Sequence, residues 1–290
     1  MQAERLSAAL ARLREQAPAA ADAGPTPPAE PTPPPRPTRP WLATVFRALA
    51  AQDAPAAGRL LLALLPAQRA ADPGPVAYDL ILGEQACAQV TVNSTEIRVE
   101  MHDTPRAPAE VDFKLEGGPA GIARLVAARG VRRRVHVLAA VRARGRPRVG
   151  PWPRRARLWG DYRRLASLDR LIEARLTLRE LDAAGVRLDP VLAMTVFGLM
   201  IDPAWTTGER FVIGHREPAA ASVGACLHVR DGASLRVAGE APHRRPEAVV
   251  ICPSEQLARV LAGVAAPAEL VGRQAPLALL RRWLDRAQCG

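Results

Sequence analysis

A chain of 290 residues with 48% hydrophobic and 4% aromatic content is globular in composition, long enough for one large domain or two ordinary ones, and must build its core from Leu, Val, Ile and Ala. The net charge of +11 is confined: 129–164 holds 13 arginines and one acid, Asp161, so the chain is not generally basic but carries one basic segment. The longest aliphatic run, Leu60 to Leu65, falls short of the ~20 residues a membrane span needs. The N-terminus carries Glu4, Arg5, Arg12 and Arg14 without an apolar signal region. The four cysteines, Cys87, Cys226, Cys252 and a tail residue Cys289, form no CxxC pair, so the expectation is a soluble protein of a reduced cytoplasm.

Met1–Gln16 has Leu6, Leu10 and Leu13 at helical spacing, one short amphipathic helix. Residues 17–40 contain ten prolines and read as a disordered, polyproline-like tether. Trp41, Leu42, Val45, Phe46 and Leu49 then make an apolar helix face. Asp53 caps a second, buried helix with Pro55 in its first turn. From 76 to 116 the period changes to two. Tyr78, Leu80 and Leu82 alternate, as do Val90 and Val92; Ile97, Val99 and Met101; and Val111, Phe113 and Leu115, giving an antiparallel meander covered by a helix near 119–129. Val135 to Val141 reads as a further strand. Residues 162–184 read as a helix that stops at Gly185 and crosses from a first domain to a second. Asp189–Pro190 opens another helix, strands follow at 210–216, 222–229 and 234–238, and Asp231–Gly232 is a strong hairpin signal.

Ala248 to Ile251 is a short run expected to be buried on both faces, followed by Pro253, by Ser254 as a helix cap, and by Leu257, Val260 and Leu261 at helical spacing. Ala268 to Val271 reads as a short strand, and Leu277 to Trp283 begins a closing helix. An earlier stretch, 110–127, has the same construction: alternating Val111, Phe113 and Leu115, a Gly117–Gly118 break, then a helix whose Ile122–Ala127 parallels Leu257–Ala262. A hairpin signal precedes each unit, Asn93–Ser94 and Asp231–Gly232. Similar punctuation at a similar offset predicts one unit written twice.

These stretches, AEVDFKLEGGPAGIARLVA (109–127), LDPVLAMTVFGLMIDPAWTTGERFVI (188–213), VRDGASLRVAGEAPHRRPEAVVICPSEQLARVLAG (229–263) and ELVGRQAPLALLRRWLD (269–285), resemble the sterol carrier protein type 2 family in two divergent tandem copies. The resemblance implies an α+β fold: after the 1–40 arm, sterol-carrier-like domains at 41–168 and 169–288, each a roughly five-stranded, mainly antiparallel sheet covered by helices. It also implies an apolar tunnel between sheet and helices for a fatty acyl, sterol or phospholipid chain. In this sequence Phe113, Leu115, Ile122, Leu125, Val249, Ile251, Leu257, Leu261 and Trp283 would line it. A closed core needs the same side chains.

The basic segment supplies Arg132, Arg133, Arg134, Arg142, Arg144, Arg154 and Arg155 with Trp152, Trp159 and Tyr162 interleaved. Arginines take phosphates bidentately and aromatics sit at a headgroup boundary or stack on bases, so an anionic membrane surface leads and nucleic acid follows. A scaffold whose copies have lost their ligands is the third reading. Cys226 and His228 share a strand face, but no further zinc ligands stand at workable spacing, and the chain has neither a phosphate-binding glycine loop nor a G-x-S-x-G elbow. No metal, cofactor or catalytic residue is expected, and the function is read as binding. Lys114 is the one lysine beside 39 arginines, an Arg-for-Lys skew that reads as coding bias.

Overall fold

The computed structural model describes residues 40–68, 75–83, 86–93, 96–127, 130–143, 156–161, 163–167, 175–233, 235–238 and 245–289. The expected N-terminal helix and the tether up to residue 39 lie outside these. Arg36–Gly290 forms a compact unit holding two five-stranded mixed sheets and the helices that cover them.

Helix α1 (Trp41–Gln52) buries Trp41, Leu42, Val45, Phe46 and Leu49, one face at helical spacing. Asp53 ends it and caps α2 (Ala54–Leu64) by accepting from the Ala56 N–H at 2.9 Å. Strands β1 (Val76–Leu82), β2 (Ala86–Val92) and β3 (Ile97–His102) form an antiparallel meander. The chain then crosses the sheet, so that β4 (Phe113–Gly117) pairs with β1 in parallel and β5 (Arg157–Gly160) pairs with β4 antiparallel, giving the order β3-β2-β1-β4-β5. Between β4 and β5 lie α3 (Pro119–Ala127) and α4 (Gly130–Ala143).

Here the sequence reading is corrected: Val135 to Val141 lies within α4, not on a strand. Val137 and Ala140 are buried, with Val141 half-buried beside them, a spacing of three to four that fits a helix against the sheet's rim. The one helix expected across 162–184 is not continuous: Arg164–Ser167 is a 3-10 turn, 175–177 are non-helical, and α5 (Leu178–Ala183) starts on a Thr177–Glu180 capping box, while 168–174 lie outside the described residues.

In the second half α6 (Pro190–Met200) starts on its Asp189 cap, and β6 (Phe211–Arg216), β7 (Ala225–Val229) and β8 (Arg236–Ala238) repeat the meander. Strand β9 (Ala248–Ile251) runs parallel to β6, α7 (Leu257–Leu261) follows, β10 (Glu269–Gly272) pairs antiparallel with β9, and α8 (Ala275–Cys289) closes the chain. The order β10-β9-β6-β7-β8 matches the first sheet strand for strand and sense for sense. In both halves the parallel partner lies 35 residues on, as with Ala77 and Asp112; Tyr78 sits beside Phe113 and Ile213 beside Ala248.

The correspondence reaches single residues. Gly160 ends β5 at φ +88, and Gly272 ends β10 at φ +97. A Cβ on either would lie 2.4 Å from the Asp112 carbonyl oxygen or 2.3 Å from that of Glu247. The next residues, Asp161 and Arg273, donate their N–H groups to those same carbonyls at 2.7 and 2.8 Å.

The helices cover one face of each sheet, and α6 touches α1 and α2 as well as β7 and β8, so the two halves share one apolar core. Cys289 lies in the last turn of α8, half-buried, rather than in a loose tail. Ser254 does not cap α7: its hydroxyl and its N–H both donate to the Glu217 carboxylate, and it begins a 3-10 turn, Ser254–Gln256.

Candidate functional site

Alternation along the strands sorts the side chains of each sheet into a helix-covered face and an outer face. On the covered face, Phe113 and Leu115 of β4 and Ile122 and Leu125 of α3 are buried together, and Tyr78 stacks on Phe113 with ring centroids 5.0 Å apart. The Tyr78 hydroxyl donates to the Gln68 side-chain oxygen, and burial pushes its phenol well above the ordinary range. In the second half Leu257 and Leu261 are buried with Trp283, whose ring stacks on Phe211 at 6.0 Å. Seven of the nine expected lining residues therefore sit in the shared core.

Val249 and Ile251 do not. Ala248, Val250 and Cys252 join the core, and by alternation Val249 and Ile251 lie on the outer face, Val249 half-buried and Ile251 buried there. A strand with apolar residues at every position carries no parity signal, which is why the sequence assigns the wrong pair.

The outer face of the first sheet is charged. Register places Gln89, Asp79, Lys114 and Trp159 in one row across β2, β1, β4 and β5, and Cys87, Ile81, Glu116 and Arg157 in the row beside it. The crossing segment between β3 and β4 lies over these rows. Arg106 fastens it: its main-chain N–H and its Nε each donate to the Asp79 carboxylate at 2.8 Å, and its guanidinium also reaches the carbonyls of Tyr78 and Val90. Gln89 donates to the Thr104 carbonyl at 3.2 Å. Lys114 Nζ donates to the Arg106 carbonyl and lies 3.8 Å from Asp79. Arg157 pairs with Glu116 at 3.5 Å.

Asp79 is 0% exposed, and a buried carboxylate costs several kcal/mol of desolvation that only these partners offset. Burial first, then the Asp79 charge, holds the Cys87 thiol above its ordinary value, against the opposing pull of Lys114 and Arg106. Between crossing segment and sheet lies a cavity of about 390 Å³ lined by Ile81, Pro105, Pro108, Val111, Lys114, Glu116 and Trp159 among others. In sequence Asp79, Lys114 and Glu116 carry no site signal, because polar residues alternating along a strand read as a solvated face, and Trp159 reads as part of the basic segment; the lone lysine is the available signal.

The arginine segment is described in part. Arg132, Arg133 and Arg134 lie on α4, and Arg142 near its end is exposed. Arg144, Trp152, Arg154, Arg155 and Tyr162 lie outside the described residues. On the same helix Val135 and Leu138 are 58% and 55% exposed, and with exposed Ala139 and Arg142 they form one stripe. The second half has no counterpart of α4 between α7 and β10.

Cys226 and His228 do share the outer face of the second sheet, and among the described residues no group of three or more His, Cys, Asp and Glu is placed to hold a metal ion. His215, on the covered face, lies 2.8 Å from the Cys252 carbonyl through Nε2. Among the described residues no helix is long and apolar enough to cross a membrane.

No family model matches the chain, and no curated protein matches it. Among solved structures, a stereoselective inverting sec-alkylsulfatase from Pseudomonas sp. aligns with 34% of this chain and 16% of its own length, at 16% identity and a TM-score of 0.29, a likeness too slight to bear on fold or activity.

Proposed function

We propose that this is a non-enzymatic lipid-binding or lipid-transfer protein made of two sterol-carrier-like halves, 41–168 and 169–288. The observation that carries the reading is the repeated sheet: one strand order, one set of pairing senses and one 35-residue step to the parallel partner, with helices on the same face each time. The resemblance implies two tandem copies of a roughly five-stranded sheet covered by helices, and a repeated five-stranded, helix-covered sheet supports it. The aliphatic interior between sheet and helices, with Phe113, Leu115, Ile122 and Leu125 in one half and Leu257, Leu261 and Trp283 in the other, is the surface against which an acyl or sterol body would lie. Helix α4 supports a docking role on an anionic bilayer. Exposed Val135 and Leu138 would enter the headgroup boundary while exposed Arg142 and its arginine neighbours along α4 would meet lipid phosphates, each contributing about 1 kcal/mol.

Native mass spectrometry of the purified protein, followed by organic extraction, tests the binding reading. Co-purified lipid supports it and names the ligand class; an apo mass with no uptake of fluorescent fatty acid or sterol overturns it. Sedimentation with phosphatidylglycerol vesicles tests docking. Val135→Asp with Leu138→Asp should weaken binding by about tenfold or more, since each side chain forfeits one to three kcal/mol of apolar burial. Unchanged binding removes α4 from the membrane contact, and tight, salt-sensitive binding to single-stranded nucleic acid would move the basic segment to that partner.

A further inference from the structure

We propose that the cavity on the outer face of the first sheet is a binding site for a small monocarboxylate with a flat, compact apolar body, and that Lys114 takes the carboxylate. This inference stands apart from the lipid reading, which concerns the opposite face of the same sheet.

Four observations carry it. The first is room. About 390 Å³ lies in the range of small-molecule sites and fits a one- or two-ring acid. The second is the lining: Trp159 on the floor and Pro105 and Pro108 in the roof present rigid flat surfaces, with Ile81 and Val111 between them.

The third is charge. Among the described residues the charged side chains that line the cavity are Lys114 and Glu116, and beside them lie Asp79, Arg106 and Arg157. Arg106 closes on Asp79 at 2.8 Å and Arg157 closes on Glu116 at 3.5 Å. Lys114 approaches only the already paired Asp79, at 3.8 Å, and donates one hydrogen to the Arg106 carbonyl. An ammonium has three donors, and the described contacts of this one, 14% exposed, are the Arg106 carbonyl and the more distant Asp79 carboxylate, so it can still donate into the cavity it lines.

The fourth is the internal comparison. By register the counterparts of Asp79, Lys114 and Trp159 are Gly214, Val249 and Val271. The same sheet therefore forms without the charged row, and its desolvation cost is not a requirement of the fold. In a chain with 39 arginines, the one lysine stands beside the Asp79 pair, where it brings a compact point charge in place of a planar guanidinium fork.

The test is calorimetric titration of the full chain with 2-naphthoate and with its neutral isostere, 2-naphthamide. Naphthoate should bind and naphthamide should bind much more weakly. Lys114→Met should weaken naphthoate by about tenfold or more and erase the difference between the two probes, because the charge-assisted partner is gone. Val111→Trp fills the cavity from the roof without touching the Asp79 pair, and should abolish binding even if Lys114→Met proves unstable. Equal binding of acid and amide, naphthoate binding that survives both substitutions, or no binding at millimolar concentration overturns the assignment. Laurate competing at the same site with equal or better affinity overturns the compact-body class.

Discussion

The indole N–H of Trp41 donates to the carbonyl of Leu176 at 2.7 Å, joining the first helix of the compact unit to the segment that leads into its second half. With α6 packed on α1 and α2, this bond ties the two halves together, and they are expected to unfold as one body. Trp41→Phe keeps most of the apolar contact but leaves the Leu176 carbonyl without its donor, and should lower stability by about 1–3 kcal/mol. Urea unfolding, followed by circular dichroism and by fluorescence, should show one coincident transition in both proteins. Two separated transitions would mean the halves fold independently.

Gly160 and Gly272 should be equally intolerant of a side chain. At each, alanine would adopt a positive φ and bring its Cβ within 2.4 Å of a main-chain carbonyl. Each Gly→Ala change should cost roughly 2 kcal/mol or more, since strained backbone and overlap add. Gly208, at φ +81 with nothing within 4 Å, separates the two terms: Gly208→Ala carries the φ penalty alone and should cost about 1 kcal/mol. Thermal melts of the three variants decide the ordering.

Asp79→Asn should destabilise by about 3–5 kcal/mol, because it strands the buried cations Arg106 and Lys114. Loosening of the crossing segment should accompany the loss, seen as faster amide exchange at Arg106, whose N–H donates to Asp79.

Alkaline pH should unfold the chain through its thiols. Burial pushes Cys226 and Cys252 from 9.0 up to about 11, with the charges of Glu217 and Glu255 adding to the effect at Cys252. Between these values the unfolded chain has released protons that the native chain retains, so stability falls as pH rises from about 9 towards 11. Cys226→Ala with Cys252→Ala should flatten that slope in a pH series of melting temperatures. The raised Tyr78 phenol leaves a residual decline above its ordinary value of 10.0.

The strands were legible because their covered face alternates cleanly: Tyr78, Leu80 and Leu82 or Val90 and Val92 announce themselves by period alone. The hairpins were legible too, Asn93 donating its main-chain N–H to the Glu96 carbonyl and Gly232 taking φ +61. Three things were not. The parallel pairing of β1 with β4 is a long-range choice that no local pattern encodes. Val135 to Val141 offers β-branched residues in alternation, and only burial of Val137 and Ala140 against the sheet rim decides for helix. The charged row was hidden because a polar residue facing solvent and a polar residue beneath a crossing loop look alike in sequence. Asp79, Lys114 and Glu116 become a site only when the 103–112 segment is laid over them.

Tandem sheets of one topology invite strand exchange while the chain folds. Each parallel pair must close across 35 residues, and β9 offers β1 the same geometry that β4 does. The outer row penalises the error. A β1–β9 pair would set Asp79 beside Val249 and leave it without the Lys114 ammonium, while β6–β4 would set Lys114 beside Gly214 with no carboxylate. The charges that divide one half from the other therefore also act as an address, telling each strand which copy it belongs to.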